Sequence, residues 1–205
     1  MWDVGVLLSR LFCSPQYSPM HSNSWNKVKV LELGAGVGLT GIVTGALGAR
    51  QVLLTDLPVV VDAITKGNIL LNADHLKGLK KSLRVSAQAL SWGCSEDENE
   101  ALRVFGGFPG LIIAGDVSYQ HKPGAPSHFE ALVQTLLNTS IENTIFVFGH
   151  RVRMEASNDL LDSFLRHFGY TREVIRPVDI DRSFANVAKH SITLHVMKKR
   201  QEDGS

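Results

Sequence analysis

The segment VKVLELGAGVGLTG, residues 28–41, constrains this chain most. A short strand rich in valine and leucine runs straight into a turn with glycines at 34, 36, 38 and 41. Glycine lets the backbone turn tightly, and it lets a helix or a ligand approach with no Cβ in the way. The small and apolar residues IVTGALGA that follow, to about residue 49, read as a closely packed helix. RQVLLT (50–55) is the next strand, with Asp56 at its carboxyl end. Strand, glycine turn, helix and strand form the opening of an open, mostly parallel α/β sheet, in which ligands collect at the carboxyl ends of the strands.

The rest of the chain continues that alternation. Residues 4–12 suit a short helix, and SPQYSPMHSNSWN after it is a loop. Pro58 fits the first turn of a helix running to about Asn72, because its missing N–H has no intrahelical partner there. SLRVSAQAL (82–90), LIIAG (111–115) and TIFVFGH (144–150) read as further strands, with helices over about 128–137 and 158–168. TREVIRP and HSITLHVMKK alternate as two antiparallel strands near a sheet edge would. GCSEDENEALRVFGGFPG is acidic and then glycine-rich, so residues 93–109 are expected to form a loop insertion outside the core.

Composition narrows the function classes. With 205 residues, 44% of them hydrophobic, the chain can bury one core, so a single domain over 1–205 with a flexible tail at 200–205 is expected. A balance of 21 basic and 20 acidic residues gives no long-range field for nonspecific nucleic-acid binding. Cys13 and Cys94 lie outside zinc-type spacing, and no histidine pair has the HExxH or HxE arrangement, so no metal is expected. No run of 18 apolar residues occurs and the first apolar stretch lacks a basic n-region, so neither a membrane span nor a secretory signal is expected, and the protein is placed in the cytoplasm or nucleus. Serine-hydrolase and P-loop motifs are absent from the sequence.

The turn alone leaves two readings open. GVGLTG (36–41) matches the dinucleotide fingerprint, and Asp56, 20 residues after Gly36, can accept hydrogen bonds from ribose hydroxyls in an NAD enzyme or in an adenosine-binding methyltransferase. Glu32 separates them. A carboxylate two residues before Gly34 repels a pyrophosphate and attracts the ammonium and sulfonium of S-adenosylmethionine. Gly34, Gly36 and Gly38 are then candidate cofactor-binding positions, with Glu32 set against the blander reading of a solvated strand-end residue. Asp56 is the ribose candidate, against a capping role ahead of Leu57 and Pro58. Leu57 can pack on the adenine. Trp92, in LSWG, can offer its ring or indole N–H to the base, against simple core filling.

In GDVSY, Asp116 ends the fourth strand and Tyr119 follows three residues later, so one loop can turn both into a cleft. The pair suits an amine substrate: the carboxylate orients an ammonium while the tyrosine positions it for attack on a methyl carbon. The competing reading has Asp116 capping a turn and Tyr119 covering the core edge.

VLELGAGVGLTG, LLTDLP, LSWG and GDVSY, in that order and spacing, resemble the seven-stranded class I methyltransferases of family 16, and within it the METTL21-like protein-lysine methyltransferases. The resemblance covers nearly the whole chain. It implies a Rossmann-like, mostly parallel sheet with an antiparallel C-terminal strand, S-adenosyl-L-methionine as cofactor with S-adenosyl-L-homocysteine as product, and no metal. It places Glu32, Gly34, Gly36, Asp56 and Trp92 on the cofactor, Gly115 near the adenine, and Asp116 and Tyr119 beside the substrate lysine. Trp2, in WDVGVLLSRLF, resembles the family's upstream tryptophan and is carried over as a cofactor contact. Substrates in the family are lysines on chaperones, elongation factors and AAA ATPases, and a monomer is expected. Members usually carry a further N-terminal segment ahead of that tryptophan, so a shortened form is expected here. The alternatives are a methyltransferase acting on histidine or a small molecule, an NAD(P)-dependent oxidoreductase, and a non-catalytic adenosine-binding module.

Overall fold

The valine- and leucine-rich runs become neighbouring strands of one sheet. The computed structural model describes residues 3–16, 25–79, 84–117, 128–151, 170–184 and 192–199. Within them, β1 (Lys29–Leu33), β2 (Gln51–Asp56), β3 (Arg84–Ala89), β4 (Leu111–Gly115), β5 (Ile145–Arg151), β6 (Tyr170–Ile175) and β7 (Ile192–Lys199) form a seven-stranded sheet in the order β3-β2-β1-β4-β5-β7-β6. The first five strands are parallel, and β7 runs antiparallel to both β5 and β6. The order reverses between β1 and β4, whose carboxyl ends therefore flank the switch point where ligands of such sheets bind.

Period-two alternation along the strands divides the core into two layers. Val30, Val52, Leu54, Leu111, Ile113 and Val147 face helix α1 (Asp3–Cys13), which contributes Val4, Leu7, Leu8 and Leu11. Leu31, Leu53, Ile112, Phe146 and Phe148 face the other way, onto helices α6 (Ser95–Phe105) and α7 (Phe129–Thr139). Helix α2 (Leu39–Ala46) follows the glycine turn. After β2 the chain is helical through α3 (Pro58–Val60), a π-helical turn (Val61–Thr65), α4 (Lys66–Leu71) and α5 (Ala73–Leu79), with Pro58 at the first turn as its chemistry favours.

Helix α6 corrects the reading of residues 93–109 as a loop insertion. Glu96, Asp97 and Glu98 lie in its first turn, where carboxylates complement the helix dipole, and Gly106, in the left-handed conformation at φ 62°, ends it. Its inward stripe is Glu98, Ala101 and Phe105, all buried. One member of that stripe is charged, which conceals the helical period in the sequence. The expected helix over 158–168 lies outside the described residues, as do Trp2, Tyr119 and the tail at 200–205. No described helix is long and apolar enough to cross a membrane.

Candidate active site

β1 delivers the chain into the turn at Gly34, where φ is +70° and a Cβ would stand 2.6 Å from Val117 Cγ1 and 3.3 Å from the Trp92 ring. Only glycine accommodates both the left-handed backbone and this close approach. The turn is then tied down from several sides. Asp56, at the end of β2, accepts the Gly36 N–H through Oδ2 at 2.7 Å and the Leu57 N–H through Oδ1 at 2.7 Å. Thr65, fully buried in the π-helical turn, donates its hydroxyl to the Gly36 carbonyl at 2.7 Å, and Asn68 donates Nδ2 to the Val37 carbonyl at 2.8 Å. A Cβ at Gly36 would meet nothing within 4 Å, so the turn presents an open backbone edge there.

Glu32 lies behind the turn rather than at an open mouth. It is 4% exposed, and Oε2 accepts the Gly41 N–H at 2.8 Å, fastening β1 to α2. Gly41 must lack a side chain: a Cβ there would fall 1.9 Å from Leu54 Cδ2 and 2.7 Å from the Glu32 carboxylate. Burial pushes the Glu32 carboxyl up to about 8, with the Gly41 N–H and the Thr40 hydroxyl pulling it down and the Asp56 charge adding a smaller upward push. At neutral pH the acid is therefore largely protonated here. Glu32 is thus neither a carboxylate at the mouth of the site nor a solvated strand-end residue: it is a buried acid whose charge a cation would have to draw out.

Trp92 is half-buried and packs on the α6–α7 side of the core. Its loop is held by polar contacts absent from the motif reading. Asp97 accepts the Ser91 N–H at 2.8 Å, and Thr135 Oγ1 accepts the Gly93 N–H at 2.8 Å while donating to Glu98 Oε1 at 2.7 Å. Asn138 completes the set by donating to Glu98 Oε2 at 2.7 Å. Thr65, Asn68 and Glu98 are thus positioning residues that sequence spacing did not point to.

Across the switch point, Gly115 ends β4 and Asp116 follows at φ +56°, a conformation rare outside glycine. Its N–H donates to the Gly149 carbonyl at 2.7 Å, and its Oδ1 accepts the Arg151 N–H at 3.2 Å, so β5 holds the residue in place. Asp116 is 6% exposed. Leu57, by contrast, is half-exposed beside Asp56 and Val37 is partly exposed on the turn, giving the opening an apolar rim. Gly38 serves the turn itself, donating to the Ala35 carbonyl at 2.8 Å and accepting the Ile42 N–H. The structure thus brings Glu32, Gly34, Gly36, Gly38, Asp56 and Leu57 to one turn, Trp92 and Val117 against Gly34, and Gly115 and Asp116 to the adjoining strand end. Among the described histidines, His75 and His128 are exposed, while His150 and His195 are buried and stack with ring centroids 5.4 Å apart across β5 and β7.

A sheet of this order, with a glycine turn after β1 and an acid ending β2, defines the class I methyltransferase fold. The chain superposes on a TehB-like SAM-dependent methyltransferase from Corynebacterium glutamicum with a TM-score of 0.54 at 17% identity, covering 95% of this chain and 88% of that one. It also superposes on SMU.776, solved as a complex with SAH, with a TM-score of 0.57 at 16% identity over 86% of this chain and 48% of that one. The chain belongs to the lysine methyltransferase family, whose model matches residues 1–167. It is 35% identical over 150 residues to the protein-lysine methyltransferase METTL21E of Mus musculus and 30% identical over 171 residues to the protein N-lysine methyltransferase METTL21A of Xenopus tropicalis. Those matches cover 72% and 82% of this chain, and span 56% and 67% of the two relatives.

Proposed function

We propose that the chain is an S-adenosylmethionine-dependent protein-lysine N-methyltransferase. The observation that carries this reading is the delivery of two acids, Asp56 and Asp116, to the carboxyl ends of β2 and β4 on either side of the glycine turn that follows β1. A cofactor with ribose hydroxyls and a cationic acceptor suit that arrangement, and membership of the lysine methyltransferase family supports the same pairing.

The residues fit the cofactor chemically. Gly36 offers an open backbone edge, Asp56 has carboxylate lone pairs beyond the two it uses for Gly36 and Leu57, and Trp92 and Leu57 supply apolar surface for a base. S-adenosylmethionine, when bound, supplies an electrophilic methyl carbon. Asp56 would hold the ribose hydroxyls, and Glu32, once ionised, would face positive charge through the turn. On the acceptor side Asp116 would orient the lysine ammonium, and Tyr119 is the family motif's second residue; once the ammonium has passed its proton to solvent, the neutral amine would attack the methyl carbon as the thioether leaves. Lysines on chaperones, elongation factors and AAA ATPases are the acceptors to screen first.

Isothermal titration with S-adenosylhomocysteine and with NAD(H) is the first test: binding of the former and not the latter is expected, and the reverse would overturn the donor assignment. Incubation with labelled methyl donor and cell extract, followed by mass spectrometry, then tests the acceptor. Methyl-lysine on a protein is the expected product, and label confined to histidine or to small molecules would refute the lysine assignment.

A further inference from the structure

We infer that Arg151 is a positioning residue that sets the acceptor end of the site by joining Asp116 to helix α1. Arg151 ends β5, and its backbone and side chain act in different directions. The backbone N–H donates to Asp116 Oδ1 at 3.2 Å, while the guanidinium pairs with the carboxylate of Asp3 in the first turn of α1. Strand alternation explains the split: Val147 and Gly149 face α1, so Arg151, two residues on, faces it too.

Helix α1 lies against the same strand ends with little slack. A Cβ at Gly149 would stand 2.7 Å from Val4 Cγ1, and one at Gly115 would stand 3.1 Å from Leu8 Cδ1. The far end of the helix is anchored separately, by an ion pair from Arg10 to Asp181 in the segment between β6 and β7. A shift of α1 is therefore transmitted to Gly115 and Gly149, and from them to Asp116, whose strained backbone depends on the Gly149 carbonyl. The Arg151 side chain is 19% exposed and that of Asp3 is 55% exposed. Such a pair adds little to global stability, so its consequence is where the helix sits. On the donor side α1 touches α2 through the Thr40 hydroxyl and the Gly5 carbonyl at 3.4 Å, but the bonds that fix the glycine turn, from Gly41 to Glu32 and from Gly36 to Asp56, involve neither Arg151 nor Asp3.

This inference rests on the methyltransferase reading for its functional meaning, but the physical link can be measured without activity. Hydrogen–deuterium exchange would be followed at the amides of Asp116 and Arg151 in Asp3→Arg, Arg151→Asp and the double exchange of charges. Each single change should speed exchange there by about tenfold, and the double change should restore most of the protection. In transfer assays with labelled S-adenosylmethionine and a fixed cell extract, the single changes should lower the rate at saturating donor by about tenfold while leaving the Kd for S-adenosylhomocysteine within about threefold, with rescue in the double variant. Asp3→Asn gives a milder version that places no new charge in the site, and Arg151→Lys, which keeps the cation, should retain most of the rate. Unchanged exchange in Asp3→Asn and the single swaps, or no recovery in the double variant, would overturn the inference. Failure of the wild-type chain to bind S-adenosylhomocysteine, with the exchange coupling intact, would instead refute the methyltransferase reading.

Discussion

Asp56 Oδ2 accepts the N–H of Gly36 at 2.7 Å, so the acid that ends β2 braces the glycine turn that follows β1, 20 residues earlier in the chain. The same carboxylate accepts the Leu57 N–H, but Leu57 is itself the N-cap of α3 and that helix has no side-chain cap, so the capping reading of Asp56 gives way to one of bracing the turn. The brace fixes the carboxylate beside the turn, where a ribose would meet it.

Asp56→Ala should separate the two roles. Loss of charge-assisted hydrogen bonds to a ribose would cost about 1.5–3 kcal/mol, weakening the Kd for S-adenosylhomocysteine by about ten- to a hundredfold. Loss of the two backbone bonds that brace the turn should lower stability by about 1–3 kcal/mol. Asp56→Asn, which keeps one acceptor oxygen, should fall between. Titration calorimetry paired with urea unfolding checks both, and a destabilised variant with unaltered Kd would reduce Asp56 to a brace for the turn.

Glu32 predicts a pH signature. Its carboxyl is raised from 4.5 to about 8 in the folded chain, so between those values the native state holds a proton that the unfolded chain has released. The associated stability is fully present below pH 4.5 and is lost as pH rises through 8. At one unit per 1.36 kcal/mol, the span is on the order of a few kcal/mol. Glu32→Gln, which mimics the protonated acid, should match the wild type near pH 5 and exceed it in melting temperature near pH 8.5 when no ligand is present. A melting-temperature difference that does not grow with pH would contradict the assignment.

Gly34 is held to glycine by both conformation and space. Gly34→Ala should lose about 1–2 kcal/mol for the left-handed backbone and about 1–3 kcal/mol more for overlap with Val117. Val117→Ala in the same chain should recover part of the second loss and none of the first. A double-mutant cycle by chemical denaturation reads the coupling directly.

How far the sequence carried can be judged residue by residue. β1, β2, β4 and β5 were legible because each is a short apolar run, whereas β3, with Arg84, Ser86 and Gln88, carries a weaker signal because it lies at the sheet edge and buries no residue fully; β2, β3 and β4 lead into an acid or the tryptophan loop. Alternation also places Glu32 on the Val30 side of β1, toward α2, but a charge at a strand end reads as solvated until the packing of α2 over it is known. Aspartate enters the left-handed region more readily than most residues, but nothing in GDVSY singles out Asp116 for it, and the bond from its N–H to the Gly149 carbonyl joins it to a strand distant in sequence. Thr65 was equally hidden. Its role depends on a π-helical turn that aims a hydroxyl at Gly36, 29 residues away in sequence.

Helix α6 provides the clearest test of where composition misleads. In the acidic run from Ser95, Glu98 differs from its neighbours only after folding: it is 2% exposed and accepts hydrogen bonds from Thr135 and Asn138, whereas Glu96 and Glu100 face solvent. Glu98→Ala removes the acceptor for a buried hydroxyl, so it should cost about 1–3 kcal/mol. Glu96→Ala should stay within about 0.5 kcal/mol, the usual range for a surface change. Thr135 also accepts the Gly93 N–H, so loosening it should free the Trp92 loop and raise quenching of tryptophan fluorescence by acrylamide. Trp25 is buried beside Phe12 on the opposite side of the sheet and is insulated from the change. Equal unfolding free energies for Glu98→Ala and Glu96→Ala, with unchanged quenching, would return the segment to a dispensable surface insertion.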